Sequence, residues 1–142
     1  MQRSITELAL VRAHNLKPGD RLISPKSAFG LIKHHAIYLG YDENYNHYMI
    51  ENLDTTGVSL TRLDTYFLKN PEIVAYKRYS GSNEQRKVMI QRALSKVGQP
   101  YSLITYNCEH FANQVQHNDS SSGQVAVGVI TLGILALFAA LS

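Results

Sequence analysis

The sequence predicts an α+β domain, an antiparallel sheet packed against helices, followed by a C-terminal membrane-spanning helix. Three observations carry that expectation. Two runs rich in aromatic and branched residues, 36–41 and 47–50, flank the turn-like Asp42-Glu43-Asn44, which is the pattern of a β-hairpin. Apolar residues recur at helical spacing over 83–97 and again after Asn107. The last segment, 125–141, carries no charge and has Thr131 as its one polar side chain.

In chain order, residues 1–15 place Ile5, Leu8, Ala9 and Arg12 at helix-like spacing, a short packing helix. Side chains alternate along the first hairpin strand. His34, Ala36 and Tyr38 therefore share one face, and His35, Ile37 and Leu39 the other. Met89, Ile90, Ala93, Leu94 and Val97 form the stripe of an amphipathic helix that stops at Gly98, ahead of Pro100. That stripe is core, not a cofactor box. Asn107 is a preferred N-cap, Glu109 suits the positive end of a helix dipole, and Phe111 and Val115 dock the helix at i and i+4.

The 17 residues of 125–141 sit at the short edge of the range for a spanning helix. Their C-terminal position argues against a signal peptide, and the lack of a charged face argues against a helix lying in the headgroup plane. The expected organisation is a domain over 1–118, a flexible tether over 119–124 and an anchor over 125–141, with the domain facing the cytosol.

A chain of 142 residues has room for one domain able to bury a core without disulfides, and its single cysteine permits no intramolecular disulfide. The net charge of +3 is mild, and every Lys and Arg lies at or before Lys96. Nucleic-acid binding calls for denser basic clusters and aromatics presented for stacking, so that class is set aside. Attraction to anionic lipid headgroups is the more natural use of this charge. His34 and His35 are adjacent on a strand, and Cys108 has no Cys-x-x-Cys companion, so neither a metal nor another cofactor is expected.

Cys108 carries the chemistry. A thiol in the first turn of a helix is pushed toward thiolate, the form that attacks carbonyl carbon, and a histidine base is available upstream in Lys33-His34-His35. A lone cysteine is more often a small buried hydrophobe. Here the Asn107 cap, the polar Glu109-His110 pair and the distant histidine segment favour a nucleophile. His34-His35-Ala36-Ile37-Tyr38-Leu39-Gly40 resembles the H-box, and Asn107-Cys108-Glu109-His110-Phe111 the NC motif, of the lecithin:retinol acyltransferase-like family. Leu16-Lys17-Pro18-Gly19-Asp20 resembles that family's opening strand entry, and Gly98-Gln99-Pro100-Tyr101-Ser102-Leu103 the lead into its NC motif. The similarity covers residues 16–116. It implies a permuted papain/NlpC-like fold and a phospholipase A or acyltransferase activity with a C-terminal anchor. The order, His34 before Cys108, is the reverse of that in papain-like and NlpC-type peptidases.

The resemblance makes the first histidine, His34, the general base. His35 stands where the family usually has a large aromatic and remains a rival base. Two residues compete to orient His34. Pairing His34 opposite Glu51 centres the turn between Asp42 and Glu43, whereas pairing it opposite His47 forces residues 42–46 into a strand, so Glu51 is preferred and His47 is the runner-up. The family commonly has histidine at the position of Glu51. Asn107, Glu109 and His110 are expected to hold the motif turn in place. The implied reaction is attack of Cys108 on a glycerophospholipid ester, giving a thioester that passes to water, an amine or a hydroxyl acceptor. The 52–82 stretch is too short for a long specificity insertion, which weighs against retinol as acceptor. Two other readings compete: a non-catalytic interaction protein, as with picornaviral proteins that carry both boxes, and a cysteine peptidase or amidase.

Overall fold

Strand β2 (Lys33–Tyr41) is buried from His34 to Gly40 without alternation, because helices cover both faces of the sheet it centres. The computed structural model describes residues 1–26, 33–102 and 107–117. The order is α1 (Gln2–Ala13), β1 (Arg21–Pro25), β2, β3 (His47–Leu53), β4 (Gly57–Arg62), α2 (Leu63–Lys69), β5 (Ala75–Lys77), α3 (Asn83–Ser95) and α4 (Cys108–His117). Five antiparallel strands are arranged β4-β3-β2-β1-β5. The α+β class and the antiparallel sheet packed against helices are as the sequence predicts. The tether at 119–124 and the apolar run at 125–141 lie outside the described residues, and among those described no helix is long and apolar enough to cross a membrane.

The two faces of β2 feed two cores. Ile37 and Leu39 pack with Ile50, with Met89, Ile90 and Leu94 of α3, and with Phe111 and Val115 of α4. Ala36 and Tyr38 pack on the other side with Leu22, Met49, Leu63 and Tyr66. Ser82 caps α3 in a reciprocal box with Gln85, and the helix stops at Ser95, leaving Val97 exposed rather than on the core stripe.

Two expectations need correction. Helix α1 does not dock through Ile5 and Leu8, which are exposed. It docks through Leu10 and Val11, which pack on the second core, and through Glu7, which is fully buried, ion-paired with Arg62 and bonded to the His47 amide. Apolar periodicity misses a helix anchored by a carboxylate. The hairpin register also differs: Glu51 lies opposite Ala36, not His34, and a bulge falls between Tyr38 and Gly40. Asp42 is the reason. Its carboxylate accepts the amides of Asn44 and Asn46 at 2.9 Å and closes a loop over 42–46. The slip is two residues, so Glu51 keeps the face of His34.

Gly57 shows how the approach to α4 is held. It has φ +74°, and a Cβ there would lie 2.3 Å from the Gln99 carbonyl oxygen, which accepts the Val58 amide.

Candidate active site

Asn107 starts α4 as its residue type demands. Its Oδ1 accepts the amides of Glu109 and His110, both at 3.0 Å. His110 answers by accepting the Asn107 amide on Nδ1 at 3.2 Å, so it braces the cap and stays exposed. Glu109 is exposed in the first turn and borders a groove described below. The helix then drives Phe111 and Val115 into the core, which presses its first residue, Cys108, onto the end of β2. The Cys108 sulfur lies 3.5 Å from the Lys33 carbonyl oxygen and is nearly buried.

His34 sits where β2 has passed the last residue paired with β3. Its Nε2 is 2.7 Å from Glu51 Oε1, and the ring also hydrogen-bonds the Cys108 thiol. An ionised carboxylate only accepts, so Nε2 carries the proton and Nδ1 is left to take one from sulfur. Glu51 is itself fixed by Thr61, whose hydroxyl donates to Oε2 at 2.6 Å. His47 is elsewhere, at the far end of β3, hydrogen-bonded to the Tyr38 hydroxyl at 2.8 Å. The structure thus brings Cys108, His34 and Glu51 together and leaves His47 out.

Burial opposes charge on His34, but the hydrogen bonds to Cys108 and Glu51 and the Glu51 charge outweigh it and raise its pKa to about 9. Burial likewise opposes the thiolate. The His34 hydrogen bond, the His35 backbone amide and the charges of His34 and Lys26 reverse that and lower the Cys108 pKa. Both shifts favour a thiolate–imidazolium pair.

His35 also borders the groove at the thiol, although strand alternation puts it on the opposite face from His34. It lines this groove, of about 660 Å³, together with Cys108, Asn107 and Glu109. Burial and the Arg21 charge lower its pKa to about 4, which makes it a poor base. Ile23, Val74 and Ala75 give this groove an apolar wall, with Lys26, Lys33 and Tyr101 alongside. Among the described residues no cluster of His, Cys, Asp and Glu could hold a metal ion.

Sequence reasoning missed Thr61, Lys26 and Arg21. Arg21 carries a signal in hindsight, a charge directly before Leu22-Ile23 at the start of a buried strand. Thr61 follows only once the β3–β4 register is known, since Glu51 pairs with Ser59 and Thr61 is the next residue on that face.

The family model for lecithin retinol acyltransferase matches residues 14–121, well over half of the chain. The chain belongs to the lecithin retinol acyltransferase family. Phospholipase A and acyltransferase 2 from Homo sapiens is 47% identical over 50 residues, 34% of this chain and 31% of that protein. The aligned stretch is therefore about a third of each. No solved structure matches. Family membership and this relative support an acyltransferase- or phospholipase-type function.

Proposed function

We propose that this chain is a thiol-dependent phospholipid acyl hydrolase and acyltransferase working through a thioester on Cys108. The observation that carries the reading is the Glu51–His34–Cys108 line at a groove with an apolar wall and cationic side chains. His34 takes the thiol proton and the thiolate attacks the ester carbonyl. The ester C–O bond breaks as His34 returns that proton to the departing lysophospholipid oxygen. Water or another acceptor then attacks the thioester, giving its proton to His34, which passes it to the leaving thiolate. Ile23, Val74 and Ala75 suit an acyl chain, and Lys26 and Lys33 suit the phosphate. His34 preceding Cys108 supports the permuted papain-like arrangement, and the uncharged run at 125–141 supports a C-terminal anchor that holds the domain at a cytosol-facing membrane surface.

The test is intact-mass spectrometry of the full chain after incubation with short-chain phosphatidylcholine. An acyl adduct mapping to Cys108 is expected, with release of lysophospholipid. Neither adduct nor fatty acid from folded protein would leave the interaction-protein reading.

The electrostatics also set a pH profile. Cleavage needs the thiolate, so kcat/KM rises with pH through the lowered Cys108 pKa. It needs the imidazolium to protonate the leaving oxygen, so it falls as pH passes about 9, where His34 loses its proton. In Glu51→Gln the carboxylate that holds that proton is gone, and the alkaline limb moves to lower pH. Profiles from pH 5 to 11 on both proteins check this, and an unmoved limb would remove Glu51 from the site.

A further inference from the structure

Arg21 is fully buried, yet the acceptors its guanidinium meets are neutral. Nε donates to Gln116 Oε1 at 2.9 Å and Nη2 to Asn113 Oδ1 at 2.8 Å, both on α4, and Nη1 lies 3.3 Å from His35 Nδ1. A buried cation with no carboxylate hydrogen-bonded to it, only the charge of Glu109 acting on it, is costly, and a structural tie between a strand and a helix does not require one. What the guanidinium does that a neutral side chain cannot is donate unconditionally, because it never loses its proton and has no acceptor. His35 Nδ1 must therefore accept, which puts the ring proton on Nε2.

His35 lines the groove together with Cys108. The pairing of Ile23 with His35 and of Arg21 with Ile37 places all four on the sheet face that α4 covers. The sulfur rests on the same stretch of β2, touching the Lys33 carbonyl and the His35 backbone amide. Attack on an ester creates an oxyanion one bond from the sulfur, and such a charge needs two aimed donors. The Cys108 amide at the start of α4 is the candidate for one, as the Asn107 side chain takes the amides of Glu109 and His110.

We propose that His35 supplies the second, its Nε2–H donating to the oxyanion of the tetrahedral intermediate, and that Arg21 is the positioning residue that fixes this tautomer. This rests on the acyl-enzyme reading above. The low His35 pKa agrees, since burial and Arg21 keep the ring a neutral donor across the working range. His34 and His35 then divide the chemistry: one moves the proton and the other steadies the negative oxygen.

The experiment compares two reactions of the same sulfur in the full chain. Acylation by short-chain phosphatidylcholine passes through an oxyanion, and alkylation by iodoacetamide does not. His35→Phe keeps a planar ring on the groove wall without the donor. It should slow acylation by about 100-fold while alkylation changes less than about threefold. His35→Gln, which restores an N–H near the Nε2 position, should recover about tenfold of that loss, and it carries the test alone should His35→Phe fail to fold. Ring ¹⁵N shifts of wild type should show Nδ1 unprotonated, and Arg21→Met should lose that signature and slow acylation without slowing alkylation. Equal acylation of wild type and His35→Phe overturns the oxyanion role and leaves the acyl-enzyme standing. So does an equal loss of acylation and alkylation, which would place His35 in thiol activation. A wild type that is never acylated overturns both.

Discussion

On the proposed thioester mechanism, His34→Ala is expected to lower the rate of acyl-thioester formation by about 10³-fold, and Cys108→Ala to abolish it. The first loss has two parts with one cause. Without the ring, no group takes the thiol proton or returns it to the leaving oxygen, which for a positioned base amounts to roughly 10²–10⁴. The hydrogen bond and charge that lower the Cys108 pKa also vanish, while burial, which raises it, remains. The thiol therefore titrates higher, and alkylation at pH 6 falls along with acylation. A 10³-fold loss corresponds to about 4 kcal/mol of barrier. The pair also makes stability pH-dependent, with a definite sign. A histidine whose folded pKa is raised contributes stability fully below its unfolded value near 6.5, and loses it as pH climbs through about 9. His34→Ala should flatten that alkaline decline. Acylation within tenfold of wild type would transfer the base role to another group, with His35 the first to test.

How much of this was legible in the sequence follows from the range of the forces involved. Local chemistry was readable. Asn107 caps the helix amides because its side chain reaches only two or three residues ahead. Parity along β2 was readable too, which put His34 and Glu51 on one face even though the register was wrong by two residues. What escaped depends on partners distant in the chain. Glu7 meets Arg62 across 55 residues, and Arg21 meets Gln116 across 95. Nothing in the spacing around a lone charge says which partner the fold brings to it. A polar residue in a buried strand signals that a partner exists, and only tertiary packing names it. The bulge before Gly40 escaped for another reason: the Asp42 bonds to Asn44 and Asn46 are local, but the turn pattern does not say where the ladder absorbs the extra residue.

Phe111→Ala is expected to destabilise the fold by about 3–5 kcal/mol, the range for deleting a fully buried aromatic side chain. For a chain of this size that is a fall in Tm on the order of 10–20 °C. The ring belongs to the same core as Ile37, Leu39 and Ile50 of the sheet, three residues after the nucleophile. Its loss removes packing on both sides and opens a cavity beneath the helix, while Ala112, Val115 and the Arg92 donation to the Val115 carbonyl keep the far turns seated. The end that loosens is therefore the end carrying Cys108. Phe111→Leu keeps most of the volume and should cost under about 1.5 kcal/mol. Denaturant melts give the two energies, and the pH dependence of iodoacetamide labelling shows whether the sulfur has left His34. In Phe111→Ala labelling should shift toward an ordinary thiol at temperatures where the protein is still folded. A loss below about 1 kcal/mol with an unshifted profile would mean that the Arg21 network, rather than the apolar core, holds α4 against the sheet.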